Sequence, residues 1–531
     1  MTAMLKTTPC LISSLTPVHM GCGEDYYPTN YVIKQGALHH FAAEGMIKAL
    51  SLAERKSLAE KAMQQGADGI KALQIGIYAN SDRLIAHATH SVPVSEEMEQ
   101  FYQRRIGKTI QHEGGGGKVH NVLEIQRHAY NPYTQQPYIA GSGIKGAIRT
   151  ALLDKLNANK SHYFDKNRAA PKRAGDDLQK KLLAYDKIEQ DPLRLLKIGD
   201  AHYRHADGLN GLEICFVLNR KKRIAKKMET KGIPLKMECL PANRYQGLAF
   251  DIAFLSSMEQ QIPAMSDIKQ LAKICNDYYL PQLEAELRLL AKLNYADRTW
   301  LHALQDLLDG EIGTAMQRQQ VFLLRLGKQA GAENKTVAGA RHIKIMQGKG
   351  NAPKYQQHTT TLWLTAESEK AQHNMLPLGW VLVELPSTQL AQTAQFLTDN
   401  AQADYQRQAQ ARQHLETIRQ QQAEKARRDA EYAEQAKQKA LQAAAEEAKK
   451  ASMSDTQRLI YTLEQRYQQD KAKQKIEPQG ELRQQLTTAI KQAENWKVAD
   501  KQALLLLAQE IVSFLGLKKN KKVKLQLKTL Q

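Results

Sequence analysis

Residues Tyr138–Leu156 read YIAGSGIKGAIRTALLDKL. Apolar residues at Ile144, Ile148, Ala151 and Leu152 recur with helical spacing after a turn of small residues. The pattern predicts a short strand entering a helix whose first turns carry Gly141, Ser142, Gly143, Lys145, Gly146 and Arg149. At such a start the backbone N–H groups lack helical partners and the helix dipole favours an anion. Two cations there weaken the helix unless something negative stands opposite, and a phosphate is the natural candidate. Taken alone, the stretch also reads as an ordinary turn into a buried helix. Gly141 and Gly146 have the spacing of a phosphate loop, but Ala147 and Ile148 follow where Lys and Ser/Thr are required. Gly141, Gly143 and Gly146 match a dinucleotide fingerprint without the βαβ unit and acidic residue that give it meaning. What is left is a place for one backbone phosphate.

The 531 residues are enough for about two to four domains. Lys and Arg number 75 against 55 Asp and Glu, a formal charge of +20. That excess points to a polyanionic partner, nucleic acid first and an acidic membrane surface second. Cys10, Cys22, Cys215, Cys239 and Cys275 show neither C-x-x-C nor Cys/His ligand spacing, which implies free thiols in a reducing compartment. The first residues are too polar for a secretory segment, and no apolar run approaches the roughly 18 residues of a membrane span. The expectation is a cytoplasmic protein.

Residues 1–400 mix short strands and helices. CLISSLTPVHMG (10–21) reads as a strand into a glycine turn, and NYVIKQGALHHF (30–41) as a hairpin about Gln35-Gly36. Residues 43–66 have helical spacing ending at Gly66. Residues 91–120 turn polar and end in the four glycines Gly114–Gly117, a loop tip, and residues 160–180 form a second polar excursion. GLEICFVLNR (211–220) and LAFDIAFLSS (248–257) read as buried strands, followed by helix from about Ser266 to Leu308. VFLLRLG, TTLWLTAE and LGWVLVEL supply further strands. The alternation predicts an α+β fold with antiparallel sheets, in units of 1–200 and 201–400. From about Ser387 the character changes. Residues 401–452 hold neither Gly nor Pro and are rich in strong helix formers, which predicts a solvated helix about 75 Å long. Its mostly Ala stripe does not suit a coiled coil. Residues 453–531 read as a small helical domain with a basic tail.

Three further features bear on chemistry. His19 precedes Gly21 and Gly23, two glycines that let a ligand approach the backbone; His19 is a candidate acid/base, though no partner is fixed by spacing. Arg325, Lys328, Lys335, Arg341, Lys344, Lys349 and Lys354 are interleaved with Gly327, Gly331, Gly339, Gly348 and Gly350, a pattern suited to a phosphodiester backbone or to a plain solvated loop. His39, His40, His87 and His90 fit no zinc pattern, and no paired carboxylates suggest two-metal hydrolysis, so neither metal nor cofactor is expected.

In their order along the chain, PVHMGCGE, YIAGSGIKGAIRTAL, DPLRLLKIGDAHY, FLLRLGKQAG and the Gly379-Trp380 pair resemble the RAMP superfamily of CRISPR systems over about residues 5–390. Within it the chain looks most like the fifth subunits of the Csm series, from type III-A interference complexes. The resemblance implies two ferredoxin-like, RRM-related domains before the all-α C-terminal extension. It implies a non-catalytic subunit that caps the 3′ end of a CRISPR guide RNA, packs on RAMP backbone subunits beside the large subunit, and meets target RNA through the guide. Carried over by motif, Gly21, Gly23, Ser142, Lys145, Gly146, Arg149, Arg325, Gly327, Lys328 and Lys335 are the expected RNA contacts, and the residues' own chemistry adds His19, Arg341, Lys344 and Lys349. Ala140 and Gly143 depart from the family's Pro and second Ser at the helix start, which removes one hydroxyl. The rival reading is a metal-independent CRISPR RNA-processing ribonuclease using His19.

Overall fold

The computed structural model describes residues 5–64, 67–108, 110–112, 118–120, 123–158, 160–161, 166–204, 211–225, 228, 230, 232–255, 261–347 and 350–531. The Gly114–Gly117 loop lies outside them. Two compact units divide at residue 422, Met1–Gln422 and Ala423–Gln531.

The first unit is built on two sheets, and each takes strands from both sides of residue 200. One has the order Val321–Arg325, Trp380–Glu384, Leu5–Ser14, Arg244–Leu255, Ala201–Tyr203, Tyr138–Ile139, with Leu196–Ile198 also on Arg244–Leu255; its pairings are antiparallel. The other runs Leu376–Pro377, Thr361–Ala366, Glu213–Lys221, Leu235–Cys239, Ile125–His128, Gly21–Tyr26. Only the Leu235–Cys239 and Ile125–His128 pair in it is parallel. The expected boundary between 200 and 201 therefore separates no sheets. Residues Leu5–Ser14 pass from an exposed first half to a buried end, where the strand is flanked by Arg244–Leu255 on one side and Trp380–Glu384 on the other. Helices Gly141–Asn157 and Ile268–Leu293 cover this sheet, and one continuous apolar cluster joins it to the second sheet.

The hairpin about Gln35-Gly36 forms as read. Tyr31–Lys34 pairs with Ala37–His40, and both turn residues have positive φ (55° and 75°), the primed turn whose twist suits a hairpin. His90–Pro93 adds a third strand. The run from Ala43 is two helices, Ala43–Ala49 and Leu52–Met63, because Ser51 and Glu54 form a capping box that starts the second; the expected end at Gly66 lies outside the described residues. Residues 91–120 are less loop-like than expected. Glu96–Arg105 is a helix capped by Ser95, and it buries Met98, Phe101 and Tyr102. Ala174–Leu183 likewise makes a helix of part of the 160–180 excursion.

The long helix is Ala391–Ala451, 61 residues or about 90 Å. It starts ten residues early because the Glu311 carboxylate accepts the Gln392 and Thr393 N–H groups and the Thr393 hydroxyl, satisfying a helix start from 81 and 82 residues away. Its first turns are not solvated: Leu397, Ala401 and Ala411 are buried, and Leu415 and Ile418 close a cluster with Val32, Phe41, Leu50 and Leu58. In the second unit Asp455–Ala472, Glu481–Gln492 and Val498–Phe514 share a core of Leu463, Tyr467, Leu486, Leu504 and Ile511. The basic end is no free tail. Lys521–Lys528 is a helix, capped by Asn520 and anchored by Val523. Among the described residues no helix is long and apolar enough to cross a membrane.

The long helix thus belongs to the first unit up to Gln422. A chain ending at Gln422 keeps the cooperative melt of that unit, whereas one ending at Leu390 melts lower or aggregates. Leu397→Ala in the full chain costs about 2–5 kcal/mol, read by denaturant unfolding.

Candidate nucleic-acid interface

Between Ser14 and Gly21 the chain leaves the first sheet and enters the second, and most of its backbone groups are hydrogen-bonded. Leu15 and Thr16 N–H groups donate to the Trp380 carbonyl. Val18 exchanges bonds with Leu240 at 2.9 and 2.8 Å, Gly379 N–H donates to Pro17 O, and Lys328 N–H donates to His19 O at 2.8 Å. The last bond fixes the glycine–lysine loop against the first glycine turn. Gly327 has φ +84°, and a Cβ there would lie 2.4 Å from the His19 carbonyl oxygen, so only glycine fits.

On the other side of the turn Ala129 N–H donates to Met20 O, and Met20 N–H donates to His128 Nδ1. The chain then runs through Tyr138–Ile139 into the Gly141–Asn157 helix. Gly141 must be small because a Cβ would meet the Ile198 carbonyl at 2.5 Å. The result is one open cleft of about 390 Å³. Met20 and Gly21, then Gly143, Gly146 and Thr150, then Gly327, Lys328 and Lys335 form its walls, with Arg325 and Asn334 behind. No carboxylate lines it among the described residues. Lys328 is exposed, with Nζ 3.0 Å from Gln126 Oε1. Lys335 Nζ donates to Gly327 O at 2.7 Å, and burial, with Arg325 nearby, lowers its pKa.

The structure thus brings together three motifs that are far apart in sequence, but it redistributes their cations. Lys145 and Arg149 lie roughly 130° and 90° around the helix from the face of Gly143, Gly146 and Thr150, at about 100° per residue. Lys145 Nζ donates to Leu196 O at 2.8 Å, and burial together with Arg149 and Lys197 lowers its pKa. Arg149 pairs with the Asp191 carboxylate, and the Gly141 N–H donates to Asp200 Oδ1 at 2.7 Å. The anions expected opposite this helix start are therefore the protein's own.

Arg325 is also internal. Its guanidinium donates to Leu378 O at 2.9 Å and Glu286 Oε1 at 3.0 Å, and it lies 4.8 Å from the Trp380 ring centroid. Arg341 donates to Glu333 O, and Lys344 is exposed on Ile343–Ile345, lining a separate cleft of about 590 Å³ that shares Arg325, Asn334 and Lys335 with the first. Lys349 lies outside the described residues. Ser142 is exposed, and Gly23 lies on the exposed part of its strand. His19 is fully buried, bonded through Nδ1 to Glu238 O at 2.7 Å and edge-on to His128. The ring therefore presents no exposed nitrogen, which counts against the acid/base reading of His19. Reading the sequence missed Asp191, Asp200 and Glu286, the acids that hold these cations and the helix start. Each lies dozens of residues from its partner, and no local signal marks it.

The sequence profile of the RAMP superfamily matches residues 11–315, and the chain belongs to that superfamily. It is 25% identical over 417 residues to the "CRISPR system Cms protein Csm5" of Methanocaldococcus jannaschii, covering 70% of this chain and 87% of that protein. Among solved structures it resembles a chain of a Csm–crRNA–target RNA ternary complex of a type III-A CRISPR-Cas system, with TM-score 0.46, 16% identity, and coverage of 71% of this chain and 100% of the other. It also resembles the T. onnurineus Csm5 crystal structure, with TM-score 0.40, 15% identity and coverage of 71% and 99%.

Asp191 and Gly327 separate structural from surface roles. Asp191→Ala leaves the Arg149 guanidinium without its carboxylate and lowers stability by about 1–3 kcal/mol, measured by denaturant unfolding, with RNA affinity at a folding temperature unchanged. Gly327→Ala lowers both, since it displaces the loop that forms a wall of the cleft.

Proposed function

We propose that this chain is a non-catalytic guide-RNA-binding subunit of a type III, Csm-type RNA-guided interference complex. The carboxylate-free cleft between Gly21, Gly143, Gly146, Gly327, Lys328 and Lys335 holds the guide backbone. The convergence of three glycine-bearing segments on one cleft with two surface lysines supports this reading, because such a surface admits a sugar–phosphate chain closely and rewards its charge. It offers no dense array of base-edge donors, so sequence would be read by pairing between guide and target. The likeness to the Methanocaldococcus Csm5 protein supports the finer assignment. In that assignment the subunit caps the guide 3′ end, the two interleaved sheets are its ferredoxin-like cores, and its neighbours are RAMP backbone subunits, the large subunit and target RNA. Of the motif cations, Lys328 and Lys335 take the phosphate, while Lys145, Arg149 and Arg325 shape the scaffold.

Two measurements test this. Affinity purification from the host, with the bound RNA sequenced, recovers short RNAs sharing a repeat-derived segment, together with related basic subunits. Recovery of the protein alone, or with RNA fragments of no common origin, overturns the assignment. In vitro, Lys328→Ala/Lys335→Ala lowers the slope of log affinity against log salt for single-stranded RNA by about 1.4, roughly 0.7 for each phosphate contact. Lys145→Ala/Arg149→Ala lowers the melting temperature and leaves that slope nearly unchanged. The reverse pattern would return the phosphate site to the helix start.

A further inference from the structure

A second cleft of the first unit has the opposite character. It measures about 510 Å³, within the range of ligand pockets. Its walls come from the end of the His90–Pro93 strand, the starts of the Glu213 strand and the Asn243 turn, the residues after Thr365, and one turn of the long helix at Asp404–Gln408. Four carboxylates line it, Glu97, Glu213, Glu367 and Asp404, beside the titratable His373 and the cationic Arg407, in a protein whose net charge is +20. Two of these are already neutralised: Arg407 pairs with Glu367 at 2.7 Å and with Asp404, and the Arg244 guanidinium stands 3.6 Å from Asp404.

Two further groups point to a ligand. Gln408 is 4% exposed and Asn243 8%, and the amide oxygen of each is buried without a hydrogen-bond donor. A buried acceptor left unpaired costs about 1–3 kcal/mol. Both line the same cleft as the Glu213 carboxylate, so its wall is rich in acceptors. Its chemical complement is a group with several donors and no acceptor, which among biological groups describes a guanidinium best and an ammonium next. A phosphate or carboxylate would be repelled.

We propose that this cleft binds a guanidinium group, held by the Glu213 carboxylate and the side-chain oxygens of Asn243 and Gln408. The site is separate from the glycine-lined cleft and does not depend on the RNA reading. The group can come from a free guanidine or from an arginine side chain of another polypeptide. The Glu213 carboxyl itself supports a pH signature. Burial, then the nearby Asp404 and Cys239, push its pKa up to about 8, against the opposing pull of Arg244 and Arg407. A carboxyl raised in this way is protonated in the empty site at neutral pH, and a bound cation favours its ionised form. Affinity therefore rises as pH increases from 6 to 9, and binding near pH 7 releases a proton.

Titration calorimetry of the full chain tests this with agmatine, with an amidated Ala-Arg-Ala peptide, with n-butylammonium and with AMP. The expected result is saturable one-to-one binding of agmatine or of the peptide, at least tenfold tighter at pH 9 than at pH 6, with weaker n-butylammonium and no AMP binding that Gln408→Leu removes. Binding of both guanidinium probes indicates an open site for the free group, and binding of the peptide alone indicates a polypeptide source. Glu213→Gln abolishes the pH dependence, and Gln408→Leu weakens binding at least tenfold, while Lys328→Ala leaves it unchanged. Should either cleft variant fail to fold, the wild-type chain carries the test: the binding enthalpy at pH 7 must vary with buffer ionisation heat. Absence of saturable binding by both guanidinium probes, binding insensitive to pH, or AMP binding lost in Gln408→Leu overturns the proposal.

Discussion

Six residues, Leu15 to Met20, hold the first unit together. They carry the chain from one sheet to the other through the middle of the protein, where water cannot satisfy backbone groups. The requirement is met by neighbours from four other regions. Trp380 and Gly379 come from the strand beside Leu5–Ser14, Leu240 from the second sheet, Lys328 from the glycine–lysine loop, and Ala129 from the approach to the Gly141 helix. Even the Thr16 hydroxyl is used, accepting the Trp380 N–H at 2.9 Å. Pro17 fits because it has no N–H to satisfy, while its carbonyl accepts from Gly379. The cleft is a consequence of this crossing, since each of its walls is hydrogen-bonded to the segment or enters directly from an element that is.

That constraint explains how the cations are used. A loop bonded to a buried crossing must itself be rigid, and several basic side chains supply the rigidity. Arg325 ties the end of its strand to Glu286 on the Ile268–Leu293 helix and packs on Trp380, whose indole N–H donates to the other Glu286 oxygen at 2.7 Å. Arg149 does the same for the Gly141 helix through Asp191, whose second oxygen accepts the Leu193 N–H. A buried guanidinium without such a partner would be strongly destabilising, so these pairs are required by the fold once the arginines are inside. Lysines with a flexible stem and an exposed head remain for the surface, which is why Lys328 and Lys335 are better placed than the arginines to meet a phosphate.

Short-range chemistry was legible in the sequence. The Gln35-Gly36 turn, the strands rich in Val, Ile and Leu, and the helical extension announce themselves because the residues that decide them are neighbours. The Ser51/Glu54 and Ser454/Gln457 capping boxes act equally locally. The glycines of the cleft were legible too, as places where backbone comes close to something. What each glycine approaches was not. Gly327 is small for the sake of the His19 carbonyl, and Gly141 for the sake of Ile198. The same limit hid the partners of Lys145, Arg149 and Arg325, the weaving of Leu5–Ser14 between Arg244–Leu255 and Trp380–Glu384, and the Glu311 cap that lengthens the long helix. In every case the deciding contact spans dozens to hundreds of residues, where a single sequence holds no register.

The distribution of charge argues that a net charge of +20 should not be read as one basic surface. Around the glycine cleft the acids that exist are turned inward to hold arginines, and the exposed heads are lysines. Around the Glu213 cleft the arginines are turned to acids of the long helix and of the Thr361–Ala366 edge, and what is left unpaired in the lining includes the buried amide oxygens of Asn243 and Gln408. Salt screens exposed charges beyond about 8–10 Å, so each cleft is governed by its own lining and not by the sum over the chain. The two clefts therefore present opposite linings, glycine and lysine in one and carboxylate with amide oxygen in the other. Because the Asp404–Gln408 turn of the long helix walls the acidic cleft, the helix start that Glu311 caps also fixes that lining.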